Sequence, residues 1–413
     1  MRLILNNKAF IISIFLLALI GRLIALFVVE PISNPKTWEY EVITNNFLQG
    51  KGLFYTFYAT PYRATYIILY PLLCSVVYVL TNHSFLALKL LQIFISLITC
   101  LLIYRISLKL FNQRVAILAL FLVGLHPGLV YYSVRLHSLV LDTFLYTLSI
   151  FFLLKVLDGK NIHRNAIFSG ISFGLAILAR PAIGPFLIFA LFIIFLKFRK
   201  SRFVSYTVVS LIIITTTLTI LPLWVKNYLV FNKIVLVPSE SGLNFWLGYN
   251  KDATGTNKTL KGEFIFDVAP EQFRKTILSM DEFGQKEYFY KEGISFVKAH
   301  PFKSLSLFFK KIKYFWWFTP TQGQEYPKLY FIIYKLYWMF ILPLFIFGLY
   351  RKFREGLTSL TDKYNTILII IFLITITLAH ASFNLDGRHR WVVESFLLIF
   401  AANGISCLLR KED

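Results

Sequence analysis

The stretch AFIISIFLLALIGRLIALFVV, from Ala9 to Val29, carries a single charge, Arg22, and follows Arg2 and Lys8. A helix of about 20 apolar residues is long enough to cross the hydrocarbon of a bilayer. The run is too long for the core of a signal peptide, Arg22 interrupts it, and no small-x-small cleavage site follows. It therefore reads as an uncleaved first span. Similar runs recur along most of the 413 residues, 57% of which are hydrophobic and 15% charged. With a mean hydropathy of +0.65, a soluble domain would have no core able to hide them. The formal charge of +22 would point to nucleic acid in a soluble chain. Here Lys and Arg sit mostly at the ends of apolar runs, where they orient the chain, and no nucleic-acid partner is expected. The aromatic share of 18% suits interfacial belts and packed membrane helices. Cys74, Cys100 and Cys407 all lie in apolar stretches, so neither a disulfide framework nor a cysteine metal site is expected.

Basic residues cluster at 105–114, 155–164, 197–202 and 351–363. With the N-terminus and Arg410-Lys411 they form one cytoplasmic set under the positive-inside rule. That set tests each apolar run. If 65–81 crossed the membrane, 105–114 would fall on the wrong side, so 65–81 is expected to lie along the surface. About ten spans remain: 9–29, 84–104, 115–132, 139–156, 165–180, 182–197, 204–224, 327–350, 364–382 and 391–409. The expected architecture is an all-α polytopic membrane protein with outer-face interfacial helices and a mixed extracytoplasmic loop region. It divides into a transmembrane module at 1–224 with a first outer loop at 30–83, an outer region at 225–326, and a C-terminal transmembrane module at 327–413. Within the outer region, Ser239, Gly242, Gly248 and Gly255 read as turn signals, and Glu271 to Lys313 reads as helix. No internal repeat or low-complexity tract is evident.

Charged side chains at span ends need a reason, because an ionised group at mid-bilayer costs about 2.5–3.5 kcal/mol on insertion scales. Apart from Arg22, the topology gathers them at the outer interface. They are Glu39 and Glu41, Arg63, Arg135 with His137 and Asp142, Arg180, Lys226, and the run Arg388-His389-Arg390. Cations facing a few carboxylates suit an anionic lipid-linked substrate. Guanidinium groups match phosphate oxygens, and a carboxylate can accept a proton from an attacking hydroxyl. Taken singly, each cation could equally be snorkelling to lipid headgroups. No His-x-x-x-His or Asp-x-Asp motif appears in the outer loops, so no metal is expected from the motifs, and a divalent ion stays open as an alternative.

Several motifs in order resemble the GT-C-fold polyprenyl-phosphate-dependent glycosyltransferases, most of all the bacterial branch related to protein mannosyltransferases and the lipid A aminoarabinose transferase. The first outer loop is similar from Trp38-Glu39-Tyr40 through Gly50-Lys51-Gly52, and the surface segment from Arg63 to Tyr70-Pro71. Gly170 through Ala179-Arg180-Pro181 resembles the family's Gly-rich fifth span. Lys226-Asn227-Tyr228, Gly242 through Asn250, His300-Pro301, the basic aromatic helix Lys310–Trp317, and Arg388-His389-Arg390 with Glu394 complete the likeness.

The resemblance implies transfer of a sugar from a polyprenyl-phosphate donor to a hydroxyl of a protein, lipid A or polysaccharide, with no other cofactor and with membrane lipids as surroundings. It implies Glu39 as base with Glu41 beside it, and Arg63, Arg180, Lys226, Arg388 and Arg390 as ligands of the donor phosphate. Tyr40, His137 and Asp142 would support the site. It also implies a plasma (inner) membrane location, with both termini cytoplasmic and the site outside. Three departures stand out: Lys36 occupies the place of the family's usual aspartate, Leu139 that of a second acid, with Asp142 one turn away, and Lys226 that of the family's Arg before Asn. They keep a second reading open, a non-catalytic relative or a lipid-linked sugar transporter. A transporter would more often show paired halves with ionisable residues at mid-membrane; no such symmetry is evident, and apart from Arg22 the charges cluster at one interface.

Overall fold

The computed structural model describes residues 8–324, 326–357 and 359–409, so Arg2 and the Arg410-Lys411 pair lie outside the described residues. Where water is absent, a segment must satisfy its own N–H and C=O groups, and the apolar runs accordingly become helices. Among the described residues, eight helices are long and apolar enough to cross a membrane: Lys8–Val28, Phe85–Leu110, Leu139–Leu157, Ile162–Ala179, Arg202–Phe231, Lys328–Arg354, Leu360–Ala381 and Gly387–Leu408. The chain is a multi-pass membrane protein. Two of the ten expected spans differ in form. The run 182–197 becomes a shorter apolar helix, Pro181–Lys197, and 115–132 becomes two helices, Gln113–Gly124 and Pro127–Ser133, bent by 53°.

Pro127 explains the bend, since it has no N–H and its ring clashes with the preceding turn. Carbonyls freed by the break need donors, and Arg22 supplies one. Its Nη1 donates to Gly124 O at 2.7 Å and to Ala18 O at 2.9 Å, while Nε donates to Ser96 Oγ at 3.0 Å. The one charge inside the first span is thus a structural clamp on the broken helix.

The expected surface segment forms the helix Leu69–Thr81. Its 13 residues reach only about 20 Å at 1.5 Å per residue, short of the roughly 30 Å of hydrocarbon. Val76, Val79 and Leu80 remain exposed along it.

Side-chain contacts bring the four basic clusters to one end of the bundle. Lys109 pairs with Asp158, and Lys352 Nζ donates to Leu110 O at 3.0 Å. Lys197 Nζ donates to Thr361 Oγ1 at 2.6 Å. This is the alternation that a non-crossing 65–81 requires.

The last helix, Trp391–Leu408, is almost wholly buried and forms the centre of the bundle. Gly348 lets Lys328–Arg354 lie directly on it, because a Cβ there would run into the Phe400 carbonyl. Gly170 does the same for Ile162–Ala179 against Arg202–Phe231, where a Cβ would meet the Thr215 hydroxyl and the Ile212 carbonyl. Close backbone approach, not turn-making, is what these glycines serve.

The region after Phe231 has its own small core, with Leu243, Trp246, Ile265, Phe266, Ile277 and Phe289 buried together. The expected helix from Glu271 to Lys313 is three: Glu271–Leu278, Glu282–Ala299 and Pro301–Trp316. Asp281 caps the second, its side chain accepting from Gly284 N at 2.8 Å, and Pro301 opens the third. Gly242, read as a turn, instead lies inside the helix Ser241–Gly248, where a Cβ would strike the Lys286 backbone. This region clasps the first loop, which contains a helix, Glu39–Leu48, and an antiparallel hairpin, Tyr55–Phe57 with Thr60–Tyr62. Glu282 accepts from the backbone N–H groups of Arg63 and Ala64, and Tyr62 OH donates to Gln285 Oε1 at 2.7 Å.

Candidate active site at one end of the bundle

Pro181 disfavours helical backbone at the residue before it. Arg180 is accordingly extended, with φ −155° and ψ 108°, and ends the helix Ile162–Ala179. Its Nε donates to Asp142 Oδ2 at 2.8 Å. Asp142 is fully buried in the first turn of Leu139–Leu157, and its Oδ1 has no partner among the described residues. Ser138 Oγ lies 3.0 Å from both Asp142 Oδ2 and Tyr40 OH. A hydroxyl has one proton. If the carboxylate takes it, the Tyr40 phenol donates to Ser138 in turn. Tyr40, Ser138, Asp142 and Arg180 therefore form one polar chain through three separate segments. Burial, and then the Glu39 carboxylate, push the Tyr40 phenol well above its ordinary range and keep it protonated.

His137 is buried with its ring edge-on to Trp38, Tyr40 and Tyr132. Its Nδ1 accepts from Leu139 N at 3.1 Å. Burial, then the charges of Arg388, Arg180 and Arg135, hold it well below the usual imidazole range, so it is neutral. Arg388 sits in the turn Gly387–Arg390, with Nη2 3.0 Å from Asp386 Oδ2. Arg180 and Arg388, 208 positions apart in the chain, thus act on the same imidazole.

Glu39 is partly buried and forms no hydrogen bond or ion pair among the described residues. Its charge acts on Tyr40 on one side and on Tyr55 on the other. Glu41, two residues on and facing elsewhere, is taken up by the surface helix: Tyr78 OH donates to its Oε2 at 2.8 Å, and His83 Nε2 is 3.2 Å from its Oε1.

The expected phosphate ligands separate into three groups. Arg180 and Arg388 meet around His137. Arg63 and Lys226 lie together elsewhere, where Lys226 Nζ donates to the Arg63 carbonyl and the Arg63 guanidinium stands over the Phe54 ring. Arg390 is engaged apart from both groups. It is fully buried, bonds Glu394 and Tyr334, donates to Phe315 O at 3.2 Å, and lies over Trp338. Glu394 also holds His126, so this network joins the last helix to the bend and to Lys328–Arg354.

Sequence reading passed over several groups. Glu30 pairs with Lys89 at 3.1 Å and with Arg135 at 3.1 Å, and Arg135 also stands over Trp38. Charges flanking three different span ends were the available signal. Ser138 carried none. Glu240 accepts from Thr65 Oγ1 at 2.6 Å, and burial pushes its carboxyl up to about 7. Among the described residues, no three His, Cys, Asp or Glu side chains gather as a metal site.

Residues 66–225 match the family model for dolichyl-phosphate-mannose-protein mannosyltransferase. The matched segment includes His137, Asp142 and Arg180, and leaves out Glu39, Arg63, Lys226 and Arg388. No curated protein matches the chain. Among solved structures, the chain is similar to the oligosaccharyltransferase of Archaeoglobus fulgidus in its apo form, with TM-score 0.55, 14% identity, and coverage of 97% of this chain and 51% of that one. The same archaeal enzyme, AglB, in complex with an inhibitory peptide and a dolichol-phosphate gives TM-score 0.53, 14% identity, and coverage of 97% and 50%. ArnT from Cupriavidus metallidurans bound to undecaprenyl phosphate gives TM-score 0.59, 11% identity, and coverage of 98% and 61%. The chain spans about half the length of the archaeal enzyme and about three fifths of ArnT. Its likeness to these solved structures makes this chain a membrane protein of the GT-C fold, and its segment 66–225 matches the dolichyl-phosphate-mannose-protein mannosyltransferase family.

Proposed function

We propose that this protein is a membrane glycosyltransferase that moves a sugar from a polyprenyl-phosphate donor to a hydroxyl of a protein, lipid or cell-surface glycan. The observation that carries this reading is that Arg180, bonded to the Asp142–Ser138–Tyr40 chain, and Arg388, in the turn Gly387–Arg390, both act on buried His137 at the end of the bundle opposite the basic clusters. By the positive-inside rule that end faces away from the cytoplasm, in a plasma (inner) membrane with both termini cytoplasmic. Solved relatives of the same fold hold dolichol-phosphate and undecaprenyl phosphate, which supports an anionic lipid donor here.

In the reaction, the acceptor oxygen forms a bond to the anomeric carbon while the bond from that carbon to the phosphate oxygen breaks. The bonding pair leaves with the phosphate, and the acceptor proton passes to the Glu39 carboxylate. Charge builds on the departing phosphate, where fixed cations stabilise the transition state. Arg180 and Arg388 fill that role, and Arg63 and Lys226 attract the donor headgroup from their separate position. Asp142 holds Arg180 in place and Asp386 holds Arg388, while Tyr40 and His137 support the site between them. No step is routed through a metal.

A second reading, a GT-C-like accessory protein without catalysis, is favoured by one observation: Lys36, at the place of the family's aspartate, lies over the Trp38 ring and supplies no carboxylate. Mass spectrometry of glycolipids and surface glycans separates the two, using a deletion strain complemented with wild type, E39Q or R388A. The glycosyltransferase reading expects one sugar modification to vanish on deletion and to return only with wild type. Full restoration by E39Q would remove Glu39 as the base, and no glycan change on deletion would remove the reading itself.

A further inference from the structure

His389 lies in the turn Gly387–Arg390, next to Arg388, with its ring nitrogen Nδ1 engaged by the backbone. The turn Gly387–Arg390 is closed by a reciprocal cap. The Asp386 side chain accepts from Arg388 N at 3.2 Å, and the His389 Nδ1 accepts from Asp386 N at 3.2 Å. A neutral imidazole whose Nδ1 accepts a hydrogen bond carries its proton on Nε2. One ring face is covered by His380, stacked at 4.2 Å between centroids. Nε2 therefore bears a donor whose direction is set by the cap and the stack, and it has no hydrogen-bond partner among the described residues. His137 is fixed the same way, with Nδ1 accepting from Leu139 N, and the His389 ring is among the groups near it.

We propose that His389, through Nε2–H, is a neutral hydrogen-bond donor to the phosphate held by Arg180 and Arg388. This rests on the glycosyltransferase reading and specifies the polarity of its leaving-group site. The proton stays on Nε2 throughout. No transfer is involved, and the bond strengthens as the phosphate oxygen gains charge. A third cation there would have to be buried beside two existing ones, at a cost of several kcal/mol per ion in general. A neutral donor held by one backbone amide and a ring stack avoids that repulsion and needs no reorganisation when charge develops. A conformation-only role for His389, capping its turn and stacking on His380, would leave Nε2 without any task.

The test uses the full chain in lipid nanodiscs, titrated with undecaprenyl phosphate and, in parallel, with undecaprenol. Wild type is expected to prefer the phosphate. H389F keeps the ring stack and loses the donor. It is expected to bind the phosphate at least about 10-fold more weakly, in line with a hydrogen bond to a charged group, with affinity for the alcohol unchanged. H389Q places an amide N–H near the Nε2 position and is expected to retain most of the preference. An equal phosphate preference in folded H389F and wild type would overturn the proposal. Wild type with no preference for phosphate over alcohol would instead overturn the glycosyltransferase reading. Should H389F not fold, nitrogen NMR of histidine-labelled wild type decides, with the signal assigned through H389Q. A protonated His389 Nε2 that shifts with undecaprenyl phosphate and not with undecaprenol supports the role, and no shift with either refutes it.

Discussion

Arg180 and Asp142 form an ion pair of 2.8 Å that ties the broken junction after one span to the first turn of another. Asp142 is fully buried, so neither partner can be removed without stranding the other's charge. Loss of one member of a buried pair costs about 3–5 kcal/mol. D142N and R180M alone are each expected to lower the unfolding midpoint in detergent clearly. The double variant should lie above the sum of the two losses. Strict additivity in the double-mutant cycle would mean that the pair is not coupled.

Glu39 and Glu41 should separate cleanly. E39Q is expected to cut sugar transfer about 100- to 10,000-fold, the usual range for a general base, with little change in stability. E41Q should leave transfer near wild type and cost roughly 1–2 kcal/mol, because Glu41 is bonded to Tyr78 and His83. Paired measurements of transfer rate and thermal unfolding check this, and the reverse pattern would exchange the two roles.

Arg388 and Arg390 make the same comparison among cations. R388A is expected to weaken undecaprenyl phosphate binding while folding normally. R390A should destabilise the bundle by several kcal/mol, since it leaves Glu394 and Tyr334 buried without their partner. Any R390A protein that does fold should bind phosphate as wild type does. Weakened phosphate binding in folded R390A would place its guanidinium in the site after all.

Glu240 supplies a pH dependence. Its folded-state value of about 7 stands above the ordinary 4.5 because of burial. Between those values the folded state binds the proton and the unfolded state does not. Stability from this group is fully present below about 4.5 and is lost as pH rises through about 7. At about 1.36 kcal/mol per unit, the loss is at most roughly 3 kcal/mol. E240Q is expected to raise stability at pH 8 and to flatten the profile across that window. An unchanged profile, followed by chemical denaturation, would show that Glu240 does not titrate there.

Gly348 is expected to tolerate no side chain. G348L should fail to fold or lose several kcal/mol, because its Cβ would meet the Phe400 carbonyl in the central helix pair. Folding yield in detergent checks it, and near-normal yield would imply that the two helices can move apart.

The sequence alone determined the membrane class, the positions of most spans, the surface helix after Arg63 and the basic end of the bundle. Those features depend on local quantities: the length of an apolar run, the placement of Lys and Arg beside it, and the effect of Pro181 on the residue before it. Tertiary structure decided which charges meet. Arg388 and Arg390 are two residues apart and read alike, yet a single tight turn sends one toward His137 and the other into a bed of Glu394, Tyr334 and Trp338. Glu39 and Glu41 part for the same reason, since residues two apart on a helix point to different faces. Arg22 looked costly in the first span until the bend at Pro127 exposed a carbonyl for it to hold. Partners that lie a hundred or more positions away leave no trace in local pattern. They become neighbours only when packing of the helices fixes the direction of every side chain.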